Sequence, residues 1–334
     1  MRVHKTTICG TDLHILHGNV PQTLPGIILG HEGIGIIVEK GSDVKNFKLG
    51  DRILVNCITS CGQCDMCAAK KYAHCKDGGW QFGTLIHGMQ AEYALVPHAD
   101  FTAHRLPDAV PMGSPLEDGY VMASDVLPTC YEIGLRGGRF PKGPTNTLAV
   151  VGAGPLGLAA ILCAATDGVA KGFRVFAIDL TQSRLDTAKA LGATDIINNS
   201  KGDAVQQVMA ATGGKGVDFV VECVGTPTGW DLCQEMVAVG GEISILGVHG
   251  KPGTFNLHKL WDRNVSIHTG MVHGATIPSF IEKIRTGSLN AQQLLSDKFS
   301  LGQMEQAYDW FKNAGTSASL KVLITNDLET RARL

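Results

Sequence analysis

No stretch of the chain concentrates Lys and Arg densely enough to neutralise a run of phosphates, and the formal net charge over 334 residues is only −2. Nucleic acid is therefore not an expected partner. The opening MRVHKTTICGTDLH has no apolar core followed by a small-residue cleavage site. It does not read as a secretory signal, and the expected compartment is the cytoplasm. An uncharged segment, Thr147 to Thr166, has the length of a membrane span, but its interior G-A-G-P-L-G fits a strand, turn and helix better. No membrane association is expected. Internal repeats and low-complexity linkers are also missing. The 44% hydrophobic and 18% charged residues, with 41 glycines, indicate compact globular structure rich in tight turns, and the length suggests about two domains.

Ten cysteines are present, and a reducing compartment disfavours pairing them as structural disulfides. The scattered Cys57, Cys163 and Cys233 are most simply small buried hydrophobes. Four others cluster as C-x2-C-x2-C-x7-C: Cys61, Cys64, Cys67 and Cys75. Short spacings on a turning backbone aim successive sulfurs at one point, and a later ligand closes a tetrahedron, which predicts a structural zinc with no open position. The spacing of the fourth cysteine and the absence of a following Pro fit an iron–sulfur cluster poorly. Lys70, Lys71 and Lys76 lie beside the ligands to offset the charge of four thiolates. Such a site staples a loop, so catalysis belongs elsewhere.

From Thr147 onward, β-branched runs alternate with amphipathic helical patterns: TLAVVG, FRVFAID, TDIINN, VDFVVECVG, EISILGV and VSIHTGM, separated by helices that include PLGLAAILCAAT and TGWDLCQEMVAVG. This predicts an α/β unit with a doubly wound parallel sheet. Residues 1–128 show only short β-type runs, GIGIIVEKG, DRILVNC and AEYALVP, with no helix of any length. After 272, two helical patterns (IPSFIEKIRTG and LGQMEQAYDWFKNAG) precede a last strand, LKVLIT.

Gly152-Ala153-Gly154-Pro155-Leu156-Gly157 follows a strand and opens a helix, the setting that G-x-G-x-x-G requires for a dinucleotide pyrophosphate. Asp179, at the end of the second strand, is placed to accept both ribose hydroxyls of the adenosine half and to repel a 2′-phosphate. NAD is thus expected over NADP, with Arg184 nearby as a further cofactor contact. A helix cap remains the plainer reading of Asp179. The turns around Val224 and Gly247 lie at the carboxyl edge of the sheet, where a nicotinamide could rest, although turn geometry accounts for their glycines almost as well.

Two further stretches, ICGTDLH (8–14) and GHEGIG (30–35), supply Cys9 and His31. Each alone is bland. Together they offer two of the roughly three protein ligands of a catalytic zinc. C-G-T-D-x-H, then G-H-E-G, the four-cysteine loop and a half beginning VGAGPLG resemble the zinc-dependent medium-chain alcohol dehydrogenases along essentially the whole chain. The resemblance implies a GroES-like β-barrel catalytic domain (1–128 and 272–334) around a Rossmann NAD-binding domain (129–271), two zinc ions per chain, and reversible NAD-linked oxidation of an alcohol, expected to be secondary. It implies Asp125 as third catalytic-zinc ligand, Glu32 as a carboxylate able to approach the metal, and Asp12 as the partner that orients His31. Thr11 and His14 match the proton relay, Trp80 the pocket aromatic of bacterial secondary-alcohol dehydrogenases, and Thr129 and Lys321 positions that contact nicotinamide and phosphate. The expected partner is a small alcohol or ketone, and the expected assembly a homodimer or homotetramer.

The chain departs from the family pattern in two places. Gly10 stands where liver-type enzymes have a basic residue on the pyrophosphate, which shifts phosphate binding onto backbone amides and other cations. Only eight residues precede Cys9, where relatives have an opening strand pair, so the barrel is expected to lack an edge, an invitation to association. The alternatives are a polyol or amino-alcohol dehydrogenase of the same superfamily, or an NAD- and zinc-binding protein with impaired turnover.

Overall fold

The computed structural model describes residues 1–139, 146–166, 172–313 and 319–326. Two compact units are present: Met1–Pro128 with Val272–Leu334, and Thr129–Met271. In chain order the strands are β1 (Arg2–Ile8), β2 (Gly33–Ile36), β3 (Arg52–Val55), β4 (Ala103–Arg105), β5 (Thr147–Val151), β6 (Arg174–Asp179), β7 (Asp195–Asn198), β8 (Val217–Glu222), β9 (Val237–Ile245), β10 (Ser266–Thr269), β11 (Leu295–Ser300) and β12 (Lys321–Thr325).

The second unit is a parallel sheet of order β10-β9-β8-β5-β6-β7. All five residues of β5 are buried, as a strand covered on both faces requires. Its core gathers Ala149, Val151, Phe176, Ile178, Val220 and Met236. Strand order reverses between β5 and β8, so the loop after β5 lies at the topological switch point where open α/β sheets bind ligands. One helical expectation needs correction. The pattern TGWDLCQEMVAVG is helical only over Pro227–Met236, and Val237 opens β9. The β-branched Val237 and Val239 pair better on a pleated surface than in a helical turn.

In the first unit the order is β11-β12-β1-β2-β3-β4, antiparallel except for the parallel β11–β12 pair. β1 lies inside this sheet, between β12 and β2, and the outer strands are β11 and β4. AEYALVP forms only an isolated bridge, Arg2 to Tyr93, in place of a strand. Two seven-residue helices, Gly10–Leu16 and Pro115–Val121, occur where none was expected; each is too short for apolar periodicity to reveal it. Register explains why distant residues meet. Thr6 opposes Gly33, Gly33 opposes Val55, and Ile8 opposes Val322. Cys9, the His31–Glu32 pair, Asn56–Cys57 and Lys321 therefore collect at one end of the sheet.

A buried ionic cluster braces the opposite part of β1. Lys5 Nζ lies 2.9 Å from Glu117 Oε2 and 2.5 Å from Asp118 Oδ1, and Arg52 donates to Glu117 at 2.8 Å. Burial works against the charge of Glu117, but hydrogen bonds from His4, Lys5 and the Gly113 backbone outweigh it and hold its carboxyl at about 2. A depressed folded-state value stabilises the protein above the ordinary carboxylate range and loses that contribution as pH falls toward 2. Glu117 is thus expected to contribute up to about 3 kcal/mol that vanishes between about pH 5 and pH 2. Denaturant unfolding of the parent and Glu117→Gln across that range checks it; parallel pH profiles would remove Glu117 from the account.

Candidate active site

Cys9 precedes the Gly10–Leu16 helix, and the Asp12 carboxylate accepts from the Cys9 backbone N–H at 3.0 Å, closing the first turn. That turn fixes the direction of the Cys9 side chain. His31 and Glu32 lead into β2, and Asp125 follows the Pro115–Val121 helix. One donor atom each from Cys9, His31, Glu32 and Asp125 lies within 4.8 Å of the others. His31 Nε2 is 3.4 Å from Asp125 Oδ2 and 3.9 Å from Glu32 Oε1. A tetrahedral zinc with bonds of about 2.0–2.3 Å spaces its ligand atoms roughly 3.3–3.8 Å apart, which the His31–Asp125 separation of 3.4 Å matches.

The electrostatics agree. Burial alone would lower the pKa of His31, but Asp125 and Cys9 raise it well above its ordinary value. Asp12 and Glu32 are buried there and Cys9 and Asp125 partly so, a gathering of acidic groups that suits a cation. Asp12 Oδ1 and His31 Nδ1 are buried without a hydrogen-bond partner and face one another at 3.7 Å, roughly half an ångström beyond hydrogen-bond range. A histidine drawn and oriented by a metal on Nε2 has use for such an acceptor at its other nitrogen. Asp12 is itself steadied by Gln90 Nε2 at 3.0 Å, and Gln90 Oε1 accepts from Tyr308 Oη at 2.8 Å.

Four donors would close the coordination sphere. Glu32 is otherwise engaged: Lys321 Nζ donates to Oε1 at 2.6 Å, and the Thr7 hydroxyl donates to Oε2. Cys9, His31 and Asp125 are the three of these groups not held by Lys321 and Thr7, the number that an open zinc site would use. Lys321 is 1% exposed, and although burial would lower its pKa, Cys9, Glu32 and Asp125 raise it, so the ammonium stays charged. The structure thus pairs Lys321 with Glu32 within the first unit. Thr7, Gln90 and Tyr308 escaped the sequence reading because nothing in the residues beside each of them marks it.

Thr11 Oγ1 lies 3.7 Å from Cys9 Sγ, and His14 follows three positions later, on the same helix face. Burial, then the neighbouring charge of His17, lowers the pKa of His14. Trp80 stands edge-on to His31, ring centroids 6.4 Å apart, and is half-buried.

In the cysteine lobe, the donor sulfurs of Cys61, Cys64, Cys67 and Cys75 likewise fall within 4.8 Å of one another. Backbone N–H groups of Lys76 and Cys67 bring the Cys64 thiol down to about 6, whereas burial pushes Cys67 up to about 12. A thiolate is thus prepared for a soft divalent ion. Lys76 does more than offset thiolate charge, because its ammonium donates to Asp65 at 2.8 Å.

The dinucleotide loop shows three distinct glycine roles. Gly152 has φ +98°, which a side chain would strain, and a Cβ on Gly157 would lie 1.8 Å from the Gly152 carbonyl oxygen. A Cβ on Gly154 would meet no protein atom within 4 Å, leaving room at the N-terminus of the twelve-residue helix Pro155–Thr166 for a pyrophosphate. Asp179 is not the cap of the next helix, whose N-cap is Thr181. Its Oδ2 accepts from Ala153 N at 2.7 Å and its Oδ1 from Thr181 N at 2.9 Å, which ties the glycine loop to the strand end. Arg184 is half-buried in the same region, with Nε unpartnered. Buried Glu222, which the sequence did not reveal, holds the turn of Val224 by accepting from the N–H groups of Val224 and Gly225, both at 2.8 Å. A Cβ on Gly247 would fall 2.2 Å from Gly225 N, so turn packing by itself requires that glycine. Thr129 ends the short helix Val126–Thr129 and is half-buried.

Residues 1–108 match the family described as alcohol dehydrogenase GroES-like domain, and residues 155–286 match the zinc-binding dehydrogenase family. An alcohol dehydrogenase of Cupriavidus necator is 32% identical, covering 94% of this chain and 88% of that protein. The chain belongs to the zinc-dependent medium-chain alcohol dehydrogenases. A sorbitol dehydrogenase of Bacillus subtilis is 30% identical over 97% of this chain and 89% of its own. Among solved structures, zinc-dependent alcohol dehydrogenase 2 from Streptococcus pneumonia is 42% identical with TM-score 0.88, covering 98% of this chain and 90% of that one. The first unit of this dehydrogenase is accordingly GroES-like and the second Rossmann-type, and the chain is an oxidoreductase of CH–OH donors.

Proposed function

We propose that this chain oxidises a secondary alcohol reversibly to a ketone, with NAD as the preferred acceptor and two zinc ions bound, one at Cys9, His31 and Asp125 and one at Cys61, Cys64, Cys67 and Cys75. The observation that carries the reading is the convergence of Cys9, His31 and Asp125, with Glu32 held back by Lys321 and Thr7. When bound, zinc makes an alcohol oxygen acidic and NAD accepts hydride. Cys9 and Asp125 bring two negative charges, which blunt that acidity relative to a three-histidine site, so proton removal falls more heavily on the protein. The Thr11 hydroxyl would accept the alcohol proton while releasing its own through the cofactor ribose to the His14 imidazole, which gives it up to solvent. Asp12, 3.7 Å from His31 Nδ1, would orient that ring by closing to hydrogen-bond range, and Trp80 presents an apolar edge that suits an alkyl substituent better than a polyol. Asp179 and the loop Gly152–Gly157, with Arg184, Thr129 and the turns of Val224 and Gly247, bind the dinucleotide. Among the described residues no helix is long and apolar enough to cross a membrane. We place the protein in the cytoplasm, as a homodimer or homotetramer.

The direct test is a panel of secondary, primary and polyhydric alcohols with NAD and NADP, together with a zinc count. Two zinc per chain with NAD-linked oxidation of secondary alcohols is the expected result; turnover confined to polyols, or NAD binding without turnover, refutes the reading. A second outcome concerns the relay. Because the pKa of His14 lies below the ordinary histidine value, its imidazole stays a proton acceptor into mildly acidic solution. His14→Gln is expected to cut turnover about 10-fold or more near neutrality and progressively less as pH rises and solvent takes the proton. A kcat profile superimposable on that of the parent would remove His14 from the mechanism.

A further inference from the structure

Asp125 is an acidic side chain in a short turn, and a carboxylate there turns freely about its last torsion unless something holds one oxygen. The residues just past β3 provide one such hold. Cys57 is 3% exposed, its backbone N–H donates to Ser124 O at 3.1 Å, and its Sγ lies 3.5 Å from Asp125 Oδ1. Another acceptor near that sulfur, Asn56 Oδ1 at 3.7 Å, already accepts from the Ile58 N–H at 3.1 Å. Of these two oxygens the nearer is also the charged one, and charge-assisted bonds are the stronger, so between them the thiol favours Asp125. Oδ2 is then left facing His31 Nε2 at 3.4 Å.

The same corner links the segments that carry the ligands. Ser124 Oγ accepts from the Gly33 N–H at 3.3 Å, directly after His31 and Glu32, and Asn56 Nδ2 donates to His273 O at 3.1 Å. We infer that Cys57 is a positioning residue: its thiol and backbone together fix Asp125 so that one carboxylate oxygen is presented to the metal, a role distinct from the simple core thiol its sequence context suggests. The inference rests on the zinc-ligand reading proposed above.

The test uses purified holoenzyme and zinc as the probe, with competition by a chromogenic chelator that resolves the two ions, in Cys57→Ala, Cys57→Ser and Cys57→Val. Hydrogen-bond partners of metal ligands are worth about 10–100-fold in affinity, and a thiol is a weak donor, so Cys57→Ala should weaken the catalytic ion about tenfold and leave the cysteine-lobe ion unchanged. Cys57→Ser, which keeps a donor, should restore binding to within about threefold of the parent, and Cys57→Val, which fills the volume without one, should not. Parent-like affinity in Cys57→Val, or a Cys57→Ser as weak as Cys57→Ala, overturns the proposal. Should Cys57→Ala fail to fold, the Ser and Val variants decide. A parent that holds only the cysteine-lobe zinc overturns the ligand reading itself and this inference with it, whereas two zinc and an indifferent position 57 overturn only the inference.

Discussion

In Asp125→Ala, NAD-linked alcohol oxidation is expected to fall about 10^3-fold or more, with one zinc lost per chain and the other retained. The size follows from what the ion contributes: several kcal/mol of charge stabilisation, at about 1.36 kcal/mol per factor of ten, gives roughly three decades. Cys9→Ala should behave the same way, because either change leaves two protein ligands where about three are needed. Glu32→Gln is the informative contrast. Its amide oxygen can still accept from Lys321, which now donates at 2.6 Å, so zinc content should stay at two per chain. The measurement is metal content beside steady-state rates. Full turnover in Asp125→Ala would end its role as ligand, and loss of one zinc in Glu32→Gln would make Glu32 a resident ligand in place of a withdrawn neighbour.

The second large effect concerns the loop of the Rossmann-type unit. Gly157→Ala should raise the dissociation constant for NAD about 10–100-fold and lower stability, since the added carbon would fall 1.8 Å from the Gly152 carbonyl oxygen and 3.1 Å from Val150 Cγ1. Backbone cannot yield by a rotamer change, so the helix must back away from β5 and take its N-terminal amides with it. Gly154→Ala separates ligand space from packing. With no protein atom within 4 Å, its melting temperature should match that of the parent, yet NAD should bind more weakly because the methyl occupies the cradle. Calorimetric titration with NAD, run beside thermal melts, distinguishes the two. A Gly157→Ala that binds NAD as the parent does would contradict the close approach of helix and strand, and an unaffected Gly154→Ala would place the pyrophosphate elsewhere.

Parts of this molecule could be read from local pattern because the physics there is local. The four-cysteine spacing constrains one turning segment, and Cys61, Cys64, Cys67 and Cys75 do converge. Continuous apolar runs such as β5 are what a strand buried on both faces must be, and the parallel sheet followed from them. The register of short antiparallel strands was beyond that reach. AEYALVP has strand composition but supplies a single bridge, and VAVG reads as the tail of a helix until β9 needs it. Asp179 has the position expected of a ribose ligand, yet its carboxylate also holds Ala153, a bond visible only once loop and strand are in place.

The sequence by itself determined the family, the two-unit plan, and the identity of the groups able to hold metal, because spacing within a few residues fixes which side chains can share a turn. Only the tertiary structure decided how those groups are used. Lys321 and Thr7 bond Glu32, Gln90 steadies Asp12, and Cys57 lies against Asp125, all between segments far apart in the chain that the folded first unit brings together. Hydrogen-bond geometry between distant segments depends on register and burial, and neither quantity exists until the chain has closed on itself.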